Sequence, residues 1–201
     1  MRVAVSGVHG IGKTTIVDYL SNSFELLKLE EQARFLLDNE FPFQDVNRDL
    51  SVFMDFQNEV LERQIWLLNK NKDNPYFVTD RTPIDSLAYV IERLGAERYS
   101  YSFFYEKYLK KVIDIMDKTH FDIVYYLSFC VDHKVFWKSK EDNQRNLSCM
   151  YLLSLDRIMR DLYFYEFKYK FPSPSIIYTD DLDLRKSIVR KRYEKDSLCN
   201  S

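Results

Sequence analysis

Gly7-Val8-His9-Gly10-Ile11-Gly12-Lys13-Thr14 sets glycines, a lysine and a hydroxyl at a spacing that suits phosphate. It fits Gly-x-x-x-x-Gly-Lys-[Ser/Thr] at every position. Glycines let the backbone wind tightly, so that its N–H groups converge on an anion. A helix that starts there adds its free N–H groups and the positive end of its dipole. Lys13 can reach the outer phosphates, and the Thr14 hydroxyl suits magnesium, which takes few protein ligands. Thr15 reads as ordinary filling of the first helical turn, grouped with the loop. His9 is expected to face solvent. The chain has only 4 glycines, and three of them lie in this loop, which argues against a chance turn.

Other chemistry-bearing residues fall at the ends of apolar runs. Glu30-Glu31 follows Leu26–Leu29, with Arg34 shortly after, and Asp80-Arg81 follows Tyr76–Thr79. Glu31 and Asp80 are the candidate carboxylates near an acceptor oxygen. Arg34 and Arg81 supply planar forks for anionic groups. Asp80 joins Thr14 as a candidate magnesium ligand. The polar stretch Lys138 to Asn146 suits a lid, with Arg145 closing on the phosphates. Gln57 sits on an otherwise apolar helical face, either as a satisfied core amide or as a reader of a base edge.

These residues need elements to hold them. Arg2–Ser6 reads as a buried strand, followed by a helix through Leu20. Phe24–Leu29 reads as a second strand. A long helix is expected from about Val46 to Asn71, capped by Asp45, with Leu50, Phe53, Met54, Gln57, Leu61, Ile65 and Leu68 on one face. Strand three is Tyr76–Thr79. Pro83 opens a helix that ends near Leu94 at Gly95. A helix over about Tyr99–Lys118 precedes a strand at Phe121–Leu127. An aromatic-rich helix runs to about Lys170, strand five is Ser175–Thr179, and a last helix covers about Leu182–Glu194. Strands alternating with helices imply crossover connections, a parallel sheet and a three-layer α/β fold. In such sheets ligands sit beyond the carboxyl ends of the strands, where Gly7, Glu31 and Asp80 all fall.

The 201 residues suit one domain over residues 1–201. A hydrophobic share of 46% argues for a globular chain, and a net charge of −2 gives no overall nucleic-acid footprint. No apolar run is long enough to span a membrane, and no signal-peptide pattern opens the chain. The three cysteines, Cys130, Cys149 and Cys199, are scattered, which suggests a reducing compartment, the cytoplasm. His9, His120 and His133 have no zinc spacing with them.

Two absences argue against a guanine-nucleotide switch. It needs Asp-x-x-Gly, but Gly95, the one glycine outside the loop, has Glu92 at that place. Asn-Lys-x-Asp is also absent. A mechanical ATPase would usually end a strand in Asp-Glu, where this chain has Asp80-Arg81.

In these residues the chain resembles the nucleoside and nucleotide kinases of the P-loop superfamily, from residue 2 to about 192. Phe77-Val78-Thr79-Asp80-Arg81-Thr82-Pro83-Ile84-Asp85-Ser86-Leu87-Ala88-Tyr89 is similar to the Asp-Arg segment of thymidylate kinases and of the ATPase/kinase group related to nicotinamide-riboside kinase. Glu31-Gln32-Ala33-Arg34 resembles the Glu-x-x-Arg of that group, and Phe56-Gln57 the Phe-Gln of deoxynucleoside kinases. Asp142-Asn143-Gln144-Arg145 is similar to an Asp-Gly-x-Arg lid, with Asn143 in place of glycine. The resemblance implies a five-stranded sheet of order 2-3-1-4-5, ATP and magnesium as cofactors, and adenine near Thr179 to Asp183. It also implies that Asp80 and Arg81 face the acceptor and the transferring phosphate, and it favours Glu31 over Asp80 as the base.

The expected activity is phosphoryl transfer from ATP to a nucleoside, a nucleotide or a related small molecule. One alternative acceptor is a hydroxymethylated base in phage-type DNA, gripped by basic residues such as Arg185, Lys186, Arg190, Lys191 and Arg192. The bland account of these is a solvated helix face. Another alternative is a regulatory ATPase with no acceptor. The apolar faces of residues 50–68 or 101–115 would serve a homodimer, although core packing is their commoner use.

Overall fold

The computed structural model describes residues 1–129, 148–168, 172 and 174–199. Five parallel strands form one sheet, in the order β2-β3-β1-β4-β5. They are β1 (Arg2–Ser6), β2 (Leu27–Leu29), β3 (Phe77–Asp80), β4 (Ile123–Leu127) and β5 (Ser175–Ile177). The helices are α1 (Lys13–Phe24), α2 (Gln32–Asn39), α3 (Phe43–Arg48), α4 (Leu50–Lys70), α5 (Pro83–Leu94), α6 (Ser102–Thr119), α7 (Cys149–Asp161) and α8 (Leu182–Cys199). They cover both faces of the sheet. One group pairs α1 with α8, and the other packs α4, α5, α6 and α7 together. Every residue of β3 and β4 is buried, as a parallel sheet covered on both faces requires.

The sheet order and strand count agree with the expected α/β architecture, and the local differences have physical causes. Phe24 ends α1, and Glu25 caps it in the left-handed region (φ 54°), so β2 starts at Leu27. An eight-residue helix, α2, follows Glu31 where no helix was expected. Asp45 does not cap the long helix. It lies within the short α3, and the cap is Asp49, whose carboxylate accepts from the N–H groups of Ser51 and Val52. An extended backbone at Asp49 separates the two helices, and an exposed carboxylate there satisfies two orphan donors. The aromatic helix ends at Asp161 and continues as a π-helical turn, Leu162–Glu166. The last helix runs on to Cys199.

Pro83 opens α5 as expected, and Asp85 helps to cap it. Thr82 and Asp85 form a reciprocal capping box, with Pro83 in the first turn. The faces considered for a dimer are largely spent in the chain's own core. Phe53, Phe56, Val60, Leu61, Tyr108, Val112 and Ile115 are all buried there. Arg185 departs from a solvated basic face. It is fully buried, with Nε donating to the Thr179 carbonyl at 2.5 Å and Nη1 to the Ile11 carbonyl. Arg192 donates to the Ile176 carbonyl at 3.3 Å, and Arg190 pairs with Glu194 at 2.8 Å. No described helix is long and apolar enough to cross a membrane.

Candidate active site

The phosphate loop bridges β1 and α1. Gly7, Gly10 and Gly12 all have positive φ, at 132°, 79° and 90°. Gly7 has a second reason to lack a side chain. A Cβ there would stand 2.5 Å from the Leu127 carbonyl oxygen on the neighbouring strand's end. Val8 and Ile11, the apolar members of the loop, are buried and anchor it to the core. Lys13 is buried too, and its ammonium donates to the Val8 carbonyl at 2.8 Å. Burial, and then the Arg81 charge, pull its pKa down to about 8.

His9 contradicts the expectation that it faces solvent. It is buried, its Nδ1 lies 2.9 Å from the Tyr89 hydroxyl, and its ring stacks on Tyr89. The loop turns this side chain inward because α5 and α7 supply tyrosines on that side, Tyr89 and Tyr151. Thr15 is exposed on α1.

Thr14 and Asp80 meet at the carboxyl ends of β1 and β3. The Thr14 hydroxyl donates to Asp80 Oδ2 at 2.6 Å. Asp80 is buried, and its Oδ1 has no hydrogen-bond partner. Burial and the Glu31 charge raise its pKa, while Lys13 and Arg81 oppose the shift. A buried orphan carboxylate oxygen beside a threonine hydroxyl is a donor set that fits a hard cation such as magnesium. No group of three or more histidine, cysteine or carboxylate side chains placed to hold a metal ion occurs among the described residues, so such an ion would rely on phosphate and water for its other ligands.

Arg81 follows with φ 84°, a left-handed conformation that costs a non-glycine residue energy. Its N–H donates to the Val5 carbonyl at 3.0 Å. Its carbonyl accepts from Thr79 Oγ1 at 3.1 Å and Gln64 Nε2 at 3.4 Å. The guanidinium pairs with Glu31 at 2.5 Å and lies over the Tyr89 ring, 5.2 Å from its centre. Strain at the backbone thus aims a buried cation across the sheet's end.

A cavity of about 700 Å³ opens beside this cluster, a size typical of small-molecule sites. Glu31, Arg34, Gln57, Asp80 and Arg81 all line it, together with His9. So the structure brings together the phosphate loop, both strand-end carboxylates, both arginines and the glutamine singled out in the sequence. Arg34 sits at the exposed rim. Arg145 and the lid segment 138–146 lie outside the described residues.

Several lining residues were not evident from sequence. Gln64 falls on the buried face of α4 with Gln57, and that seven-residue spacing was readable. Tyr89 and Tyr151 reach the cavity from α5 and α7, and only the tertiary packing places them. Behind the cluster, the buried Asp85 carboxylate accepts from Ser6 Oγ, from Thr82 N–H at 2.9 Å and from the Tyr163 hydroxyl at 3.3 Å. Tyr163 Oη also lies 2.5 Å from Thr82 Oγ1. This network ties β1, the start of α5 and the π-helical turn into one support.

No curated protein matches the sequence. Solved structures do match the fold. Deoxyadenosine kinase from M. mycoides with bound dATP is 18% identical, with a TM-score of 0.74, over 96% of this chain and 100% of that one. The same kinase with its products dCMP and dCDP is 20% identical, with a TM-score of 0.71, over 97% and 100%. A NadR protein in complex with NR is 16% identical, with a TM-score of 0.62, over 90% of this chain and 46% of that one. At such identity these matches establish the shared fold. Residues 2–171 match the model of the AAA domain family, and the chain belongs to that family.

Proposed function

We propose that the protein is an ATP- and magnesium-dependent kinase that phosphorylates a nucleoside, a nucleotide or a closely related small molecule. The observation that carries this reading is the cavity. A phosphate loop opens onto a pocket of about 700 Å³ that also holds Glu31, Asp80 and Arg81. An ATPase that only moves or regulates has no need of such a pocket for a second substrate. The kinase fold of the structural neighbours, solved with nucleotides bound, supports the same reading.

The residues divide the work by position. Backbone N–H groups of residues 7–15 and the dipole of α1 hold the phosphates. Lys13 leaves the Val8 carbonyl to meet the outer phosphates. Thr14 and Asp80 hold magnesium, which when bound neutralises charge on the phosphate oxygens. Asp80 is committed to that corner by its contact with Thr14. That leaves Glu31 to orient the acceptor hydroxyl and take its proton as the oxygen attacks the γ-phosphorus. The bond from that phosphorus to the β-bridging oxygen breaks, and ADP leaves. Arg81 stabilises the transferring group, and its pair with Glu31 fixes that carboxylate at the cavity wall. Arg34 at the rim and Gln57 within the cavity bind the acceptor. We place this activity in the cytoplasm, where ATP is available and thiols stay reduced.

The test is transfer itself. Wild-type protein with γ-labelled ATP and magnesium should label one member of a nucleoside and nucleotide panel, and Lys13→Ala should not. Transfer that survives in Lys13→Ala would refute the assignment. The DNA-acceptor reading is less favoured, because Arg185 is buried and Arg192 is bonded to the Ile176 carbonyl of β5. Label on hydroxymethylated DNA would reinstate it.

A further inference from the structure

Both peptides that flank Arg81 are pinned. The Arg81 N–H donates to the Val5 carbonyl at 3.0 Å. On the other side, the Arg81 carbonyl accepts from Thr79 Oγ1, and the next N–H, that of Thr82, donates to Asp85 Oδ2 at 2.9 Å. A left-handed arginine persists only where its surroundings over-determine it. Asp85 is the charged member of the set that does so.

Asp85 is itself held. It is fully buried, and its Oδ1 accepts from Ser6 Oγ and from the Tyr163 hydroxyl at 3.3 Å. Ser6 directly precedes Gly7, so one carboxylate fixes both the start of the phosphate loop and the peptide after Arg81. Tyr163 also reaches the cap residue, because its oxygen lies 2.5 Å from Thr82 Oγ1.

Tyr163 comes from far along the chain, 78 residues beyond Asp85. It sits in the π-helical turn Leu162–Glu166 that follows α7, a rare geometry that recurs at functional sites. It is 3% exposed and forms no part of the cavity wall. A phenylalanine would fill the same space, so what the hydroxyl adds is its place in this network.

We infer that Tyr163 is a positioning residue, whose hydroxyl acts through Asp85 and Thr82 to hold Arg81 in the conformation that aims its guanidinium at the transferring phosphoryl group. The role in transfer rests on the kinase reading of the cavity. Without the hydroxyl, Asp85 keeps Ser6 but loses one of its donors, and the turn at Thr82 loosens. Arg81 then relaxes from its strained backbone angle, and its fork leaves the transferring group. Substrates still bind, because the cavity wall is unchanged.

The test compares Tyr163→Phe with Tyr125→Phe in the full chain, at a temperature where calorimetry shows both fully folded. Tyr125 is the control because its buried hydroxyl donates to the Val189 carbonyl at 3.2 Å, outside this network. Steady-state kinetics is one readout. The other is NMR exchange of the Arg81 Nε–H with solvent, which needs no turnover. Tyr163→Phe should lower kcat about tenfold or more, with KM for ATP and for the acceptor within about twofold of wild type. The Arg81 Nε–H should exchange about tenfold faster. Tyr125→Phe should change neither readout, although it too loses a buried hydrogen bond. In an Arg81→Lys background, Tyr163→Phe should lower kcat by less than about twofold, because the two residues act in series.

Unchanged exchange in Tyr163→Phe overturns the inference. So does an active enzyme whose kcat survives Tyr163→Phe, an equal loss in Tyr125→Phe, or an undiminished loss in the Arg81→Lys background. If wild type transfers no phosphate, the kinase reading falls by itself. Faster exchange in Tyr163→Phe then still upholds Tyr163 as the residue that holds Arg81.

Discussion

Arg81 Nε donates to Glu31 Oε1 at 2.5 Å, joining residues at the carboxyl ends of the neighbouring strands β3 and β2. The pair is mostly buried and stands beside the cavity. A cation meant only to balance Glu31 would not need a left-handed backbone. Arg81 has one, at φ 84°, so the site holds its guanidinium against local strain.

From this pair follows a separation of binding from chemistry. Glu31→Gln keeps the shape and removes the carboxylate proposed as the base, so kcat should fall by about a hundredfold or more, with ATP affinity little changed. Arg81→Lys keeps the charge and loses the fork, and should lower kcat in the same way. Steady-state kinetics with nucleotide binding measured separately checks both. Equal losses in ATP binding and in kcat would remove Glu31 from the chemistry.

Lys13 gives a pH dependence with a definite sign. Its pKa in the unliganded fold lies near 8, below its ordinary 10.5, because of burial and Arg81. The unfolded chain therefore holds more protons between these values, and stability should rise as pH climbs from about 8 to 10.5. ATP affinity should move the opposite way, weakening above pH 8 as the ammonium loses its proton. Calorimetric titration across this range should show both slopes in wild type and neither in Lys13→Met.

Asp80 couples function to instability. Burial and Glu31 raise its pKa above that of the unfolded chain, so the folded state keeps its proton to a higher pH. The unfolded state then binds fewer protons above the ordinary carboxylate range, and the charged form weakens the fold there. Asp80→Asn should melt about 2–4 °C higher at neutral pH, with the gain vanishing at acidic pH. Magnesium-dependent transfer should be lost. A lower melting point at neutral pH would show that Asp80 is a structural anchor.

The loop's first glycine is a steric requirement. Gly7→Ala sets a Cβ 2.5 Å from the Leu127 carbonyl at a backbone angle of 132°. It should cost about 2–4 kcal/mol in denaturant unfolding. Gly95→Ala, with nothing within 4 Å of the added Cβ, should cost only about 1 kcal/mol for its positive φ.

What the sequence disclosed follows from how local each signal is. The phosphate loop, the strand-end pair Asp80-Arg81 and the Thr82-Pro83 helix start are short and carry their own geometry. Strand alternation with helices likewise led to the observed sheet order through the family resemblance. The break at Asp49 was not legible, because the apolar period of α4 runs on past it and only the cap geometry marks the end. The inward turn of His9 depends on Tyr89 and Tyr151, distant in sequence. Arg185 looked like part of a basic surface because its neighbours are basic, yet it is buried among carbonyls of the phosphate loop and of the segment after β5. Glu31 and Arg81 were each visible at a strand end, but their ion pair exists only because β2 and β3 are neighbours.

The most direct measurement is label transfer. Wild-type protein, γ-labelled ATP and magnesium are incubated with nucleosides, nucleoside monophosphates, nicotinamide riboside and DNA with and without hydroxymethylated bases. Label should appear on one small molecule and be abolished by Lys13→Ala. Label released only as free phosphate, at a rate no acceptor changes, would contradict it.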